Sequence, residues 1–185
     1  EYFVMADRIM SHEETGILPV INIPQAEIAE SVAEALRDGG LNSIEVTLRS
    51  PDSLESIRII KEKYPDMTVG AGTVLSTQTV DEALKAGADF IVCPGYDEEI
   101  VDYCIAKQVQ VIPGCTSASE IQKAVKKGLK VLKFFPAELS GGLDAIKLLS
   151  GPFPNVKFIP TGGINFNNLG SYLESDKILA CGGSY

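Results

Sequence analysis

Strand-length apolar runs recur along this chain at intervals of 20 to 27 residues, and each is followed by a stretch with helical spacing. The strand candidates are Ile17–Ile23, Leu41–Leu48, Thr68–Val74, Phe90–Pro94, Val109–Pro113, Leu129–Phe135, Val156–Thr161 and Ile178–Cys181. Helical apolar spacing falls between them at Ala26–Arg37, Asp52–Lys63, Thr77–Lys85, Glu98–Lys107, Ala118–Lys127, Leu143–Leu149 and Asn167–Glu174, and a further helix is expected over about Tyr2–Glu14. Strict alternation of this kind predicts parallel strands joined by right-handed crossovers. Eight strands favour a (β/α)8 TIM barrel with an N-terminal helix over an open doubly wound sheet. The last helix of a complete barrel is expected beyond Tyr185, where the sequence stops. No linker or low-complexity run interrupts the pattern, so residues 1–185 read as one domain.

Charge and cysteine usage narrow the function. The net charge of −9 argues against nucleic acid or an anionic membrane as the main partner. No apolar run approaches a membrane span, and the first residues lack the order of a signal peptide. Cys93, Cys104, Cys115 and Cys181 form no Cys-x-x-Cys pair and read as reduced core residues of a cytoplasmic protein. The single histidine, His12, makes a multi-histidine zinc site or a Ser-His-Asp triad implausible. No metal and no cofactor is expected.

The unusual residues fall at strand ends, where a barrel of this kind carries its active site. In Leu129-Lys-Val-Leu-Lys133-Phe-Phe135-Pro, period two puts Leu129, Val131, Lys133 and Phe135 on one face, with Lys130, Leu132 and Phe134 opposite. An amine among apolar groups loses water, which disfavours its charged form, and a neutral amine can attack a carbonyl. The plainer reading of Lys133 is a strand-end lysine pointing at solvent. Glu45, Thr47 and Arg49 share a face of the second strand. They could be acid–base machinery or simply a Glu45–Arg49 ion pair at the barrel mouth. Thr161-Gly162-Gly163 and Gly182-Gly183-Ser184 follow the seventh and eighth strands, the usual place of a barrel's phosphate site.

Glu45-Val-Thr-Leu-Arg49, Gly70-Ala-Gly-Thr73, Cys93-Pro94-Gly95, Pro113-Gly114, Lys133-Phe-Phe135-Pro136, Gly151-Pro-Phe-Pro154, Pro160-Thr-Gly-Gly163 and Gly182-Gly-Ser184 occur in this order. Together they resemble the 2-keto-3-deoxy-6-phosphogluconate (KDPG) aldolases, some of which also cleave 4-hydroxy-2-oxoglutarate. The resemblance runs from about Ile17 to Ser184 and implies a metal-free class I aldolase, usually trimeric. It implies that Lys133 forms the Schiff base and that Glu45 transfers protons. Arg49 and Thr73 would hold the pyruvate carboxylate, and Pro94 and Phe135 would pack beside the pyruvyl carbons. Thr161 would lie near the substrate hydroxyls, with Gly162, Gly163 and Ser184 cradling the phosphate. One departure is Asn22, where some relatives carry an arginine. Two alternatives stand beside this expectation: an aldolase for the 6-phosphogalactonate epimer, and a catalytically silent barrel that binds a sugar phosphate. The expected partners are the small-molecule substrate and further copies of the chain in a homotrimer.

Overall fold

The computed structural model describes residues 16–184. Eight parallel strands run in chain order: β1 Ile17–Ile21, β2 Ser43–Thr47, β3 Thr68–Gly72, β4 Phe90–Val92, β5 Gln110–Ile112, β6 Val131–Phe134, β7 Lys157–Pro160 and β8 Cys181–Gly183. The helices between them are α1 Ala29–Asp38, α2 Ser53–Lys63, α3 Thr77–Ala86, α4 Glu98–Ala106, α5 Ala118–Lys126, α6 Gly142–Ser150 and α7 Leu169–Leu173. Short 3-10 turns cover Ala26–Ile28 and Glu138–Ser140. The expected helix over Tyr2–Glu14, like His12, lies outside the described residues.

Six strands form one sheet in the order β5-β4-β3-β2-β1-β8, and β6 pairs with β7 in a second. Single parallel bridges join the two, from Gly114 to Lys133, Phe158 to Ile178 and Thr161 to Gly182. The strands curl, so alternate residues face two different cores. Val46, Val69, Ala71, Ile91, Val111, Leu132, Phe134 and Phe158 pack outward with the helices. Leu18, Phe90, Val92, Ile112, Val131, Ile159, Leu179 and Ala180 make the smaller inner cluster, which draws on both sheets. Phe134 and Phe158 meet edge to face at 6.1 Å, and burying each ring is worth about 1.5–3 kcal/mol.

Capping chemistry follows directly after the strands. Ser76 accepts from the Thr79 N–H to start α3, and Asp97 accepts from the Ile100 N–H to start α4. Ser117 and Glu120 form a reciprocal capping box on α5. The turns from strand to helix are therefore fixed at the end where the unusual residues gather.

Two expectations need correction. Leu129 does not share the face of Lys133: β6 begins at Val131, and Leu129 packs in the outer cluster with Leu132 and Phe134. Period two applies only inside the strand, and the chain turns before it. The eighth strand is Cys181–Gly183 rather than Ile178–Cys181. Ile178 bridges to Phe158 of β7, while Cys181 to Gly183 pair with Ile17 to Pro19 of β1.

Candidate active site

Glu45 lies mid-β2 between Ile44 and Val46, which face the outer core. The alternation turns its carboxylate to the inner face, where it is 1% exposed. Space for it comes from β3, whose glycines alternate with outward-facing Ala71. A side chain at Gly72 would collide with the Glu45 carboxylate, and one at Gly70 with the Phe90 ring. The Gly70-Ala-Gly72 motif is therefore a packing requirement imposed by Glu45 and Phe90.

Across the interior, Lys133 of β6 reaches Glu45: Nζ lies 3.1 Å from Oε1. The two side chains are 9% and 2% exposed. Lys133 therefore does not point at solvent, and the pairing of Glu45 with Arg49 at the mouth does not occur. Arg49 instead donates from Nε to Thr47 Oγ1 at 3.3 Å, and Thr47 donates to the Ile21 carbonyl at 3.4 Å. Among the described residues Arg49 has no carboxylate partner, so its guanidinium keeps donors for an anion. A buried charge pair is costly to assemble, since desolvation offsets most of its attraction. Lys133 also sits over the Phe135 ring, 5.5 Å from its centroid.

The remaining candidates lie at the same ends of their strands. Thr73 follows β3 with φ +59, a strained conformation for a β-branched residue and one found disproportionately at functional sites. Pro94 follows β4 and is half-buried, and its carbonyl approaches Gly114 so closely that no side chain fits there. Gly114 in turn bridges to Lys133. Thr161 is 8% exposed, and its Oγ1 is buried with no hydrogen-bond partner among the described residues. That oxygen occupies the space a side chain at Gly182 would need. Ser184 is exposed just past β8. Hydrogen bonds join none of Arg49, Thr73, Pro94 or Ser184 to Lys133 or Glu45.

Gly162 and Gly163 have φ of +98 and +83, left-handed values that a side chain would strain. Their N–H groups donate to no acceptor among the described residues. The Gly163 carbonyl is held by the Asn165 and Asn168 carboxamides at 3.2 and 3.0 Å. Successive backbone N–H groups left unused in a turn can form an anion-binding concavity. The two asparagines were not among the sequence candidates; their only signal was a polar turn, Asn165-Phe-Asn-Asn168.

All four cysteines are buried and none is in a disulfide. Burial pushes each thiol up to about 12. Two surface clefts, of about 690 and 280 Å³, open where loops enter β6, β7 and β8, away from the Glu45–Lys133 pair. None of the candidate residues lines them.

Known proteins resemble this chain in sequence and in fold. The sequence pattern of the KDPG and KHG aldolases matches residues 8–185. A 2-dehydro-3-deoxy-phosphogluconate aldolase of Pseudomonas aeruginosa is 44% identical over 172 residues, covering 93% of this chain and 78% of the relative. A Legionella pneumophila KDPG aldolase structure with pyruvate captured as a covalent carbinolamine intermediate superposes with a TM-score of 0.92. It is 37% identical, covering 96% of this chain and 85% of that one. The Zymomonas mobilis aldolase with 3-phosphoglycerate gives a TM-score of 0.91 and 42% identity, covering 97% and 84%.

Proposed function

The chain belongs to the KDPG and KHG aldolase family, and on that premise we propose that it cleaves KDPG to pyruvate and glyceraldehyde 3-phosphate through a Schiff base on Lys133. The observation that carries the reading is the buried amine of Lys133 beside the Glu45 carboxylate. Lys133 Nζ attacks the C2 ketone to give a carbinolamine, and loss of water leaves a protonated imine. The imine withdraws electrons from C3 as the C3–C4 bond breaks. Glu45 accepts the C4 hydroxyl proton, and glyceraldehyde 3-phosphate departs. Protonation of the enamine at C3 and hydrolysis of the imine then release pyruvate and restore the amine. Glu45 is within reach of the amine and serves as base and acid in different steps.

Arg49 and Thr73 hold the pyruvate carboxylate in this scheme, and Pro94 and Phe135 flank its carbons. Thr161, with a buried hydroxyl that has no protein partner, meets a substrate hydroxyl. The free N–H groups of Gly162 and Gly163, with Ser184, take the phosphate. The same active site accepts 4-hydroxy-2-oxoglutarate, releasing pyruvate and glyoxylate. A silent sugar-phosphate-binding protein would gain nothing from a buried amine paired with a carboxylate, given what that pair costs to bury.

The proposal extends to the closed (β/α)8 barrel, supported by the bridges between β5 and β6 and between β7 and β8. It also extends to a cytoplasmic homotrimer whose chemistry needs no metal. The test is pyruvate release from KDPG, followed by a coupled dehydrogenase assay with and without EDTA. Turnover that is unchanged by EDTA is expected. Absence of turnover would overturn the activity, and loss on chelation with recovery on adding a divalent ion would overturn the metal-free mechanism.

A further inference from the structure

The Gly162–Gly163 turn is braced from below by a pair of residues that the catalytic scheme does not use. The Glu138 N–H donates to the Gly162 carbonyl at 3.1 Å, and the Ala137 N–H donates to the Thr161 carbonyl at 2.8 Å. The segment leaving β6 is thus tied to the segment leaving β7. Gly163 lies directly on the Glu138 side chain: a Cβ added at Gly163 would come within 2.7 and 2.5 Å of Glu138 Cβ and Cγ. The far end of that side chain is fastened by the Tyr172 hydroxyl, which donates to Glu138 Oε1. Glu138 is exposed, but Tyr172 is 2% exposed and belongs to α7, the helix that follows the turn. Burial and the Glu138 carboxylate hold the Tyr172 phenol well above its usual range, so it remains a donor at working pH. Gly142, where α6 begins, has no side chain to crowd either group.

The brace therefore touches the turn before its apex, under its apex and after it. Glu138 is also only five residues from Lys133 along the chain. Resting on the reading of Gly162–Gly163 as the phosphate seat, we propose that Glu138 and Tyr172 are positioning residues. Their hydrogen bond holds the phosphate-binding N–H groups at a set distance from the Lys133 amine, without either residue touching substrate. Binding energy at a remote phosphate assists the reacting carbons only if that distance is fixed. A substrate without phosphate draws nothing from the brace.

The test compares KDPG with unphosphorylated 4-hydroxy-2-oxoglutarate in Tyr172→Phe and Glu138→Gln. Tyr172→Phe keeps the buried ring and removes the donor. It is expected to lower kcat/KM for KDPG about five- to tenfold, as loss of one hydrogen bond would, with KM rising and kcat falling. The unphosphorylated substrate and the rate of pyruvate trapping at Lys133 should be unaffected. Glu138→Gln retains an acceptor oxygen for Tyr172 and should restore near-normal KDPG kinetics. Should Tyr172→Phe not fold, Glu138→Asp carries the same expectation, because its shorter side chain cannot reach Tyr172. Equal losses on both substrates, or no loss on KDPG, would overturn the positioning role. The parent reading fails separately, when the wild-type protein neither turns over KDPG nor traps pyruvate.

Discussion

Two lysine–carboxylate pairs, one at the starts of the strands and one inside them, differ in how completely they are satisfied. Lys61, at the end of α2, bonds to Asp89 at 2.9 Å, to the Met67 carbonyl at 2.8 Å and to the Pro65 carbonyl at 3.2 Å. Asp89 also accepts the Val69 N–H at 2.8 Å. All three ammonium donors are used, and the pair ties α2 to the starts of β3 and β4. Among the described residues the Lys133 ammonium makes one hydrogen bond, to Glu45 at 3.1 Å, and is more deeply buried than that of Lys61. A lysine whose donors are all occupied is a brace. One with donors to spare, buried beside a single carboxylate, is free to take a further partner. Burial and hydrogen-bond satisfaction run in opposite directions: the more buried lysine is the less satisfied one.

Breaking the Lys133 pair should cost the most. Lys133→Arg keeps a cation but cannot form an imine, and no turnover is expected in a pyruvate-release assay. Glu45→Gln should retain pyruvate binding while kcat falls by about 10²–10⁴-fold, the usual worth of a general acid–base group. A fall of less than about threefold, far below that range, would make Glu45 a structural partner only. Asp89→Asn should show the reverse pattern. We expect a loss of about 1–3 kcal/mol in urea unfolding, with kcat unchanged.

A smaller effect sharpens the comparison on the catalytic side of the strands. Glu120 accepts from the Thr116 N–H, the Ser117 N–H and the Ser117 hydroxyl, so it is a satisfied carboxylate near the active end. Burial raises its pKa, but the Ser117 hydroxyl and the two backbone N–H groups outweigh burial and hold it below the usual carboxylate value. A group depressed in the folded state stabilises above its unfolded pKa, and that contribution disappears as pH falls through the folded value. Glu120→Ala should therefore cost about 1 kcal/mol at neutral pH, and progressively less below about pH 4. A cost independent of pH would mean that its side-chain packing, not its charge, supports α5.

The strand–helix repeat was legible because each crossover carries its own apolar period; side-chain caps at Ser76, Asp97 and Ser117 reinforce three of the seven helices. Strand ends were less so. Tertiary pairing decides where a ladder stops, which is why β6 begins at Val131 and β8 at Cys181. Cysteine burial was readable from the apolar strand-like runs around three of the four thiols. The partner of Glu45 was not readable from spacing, since Lys133 is 88 residues away while Arg49 is four away and on the same strand face. The Glu138–Tyr172 brace was not readable: Tyr172 lies in the expected helix over Asn167–Glu174, but nothing in that spacing points it at Glu138, 34 residues away.

The contrast between the two lysines is tested most directly by incubating the protein with pyruvate and borohydride and mapping the adduct by mass spectrometry. The account predicts a three-carbon adduct on Lys133 and none on Lys61 or Lys130. An adduct on either of those lysines, or no adduct at all, would contradict it.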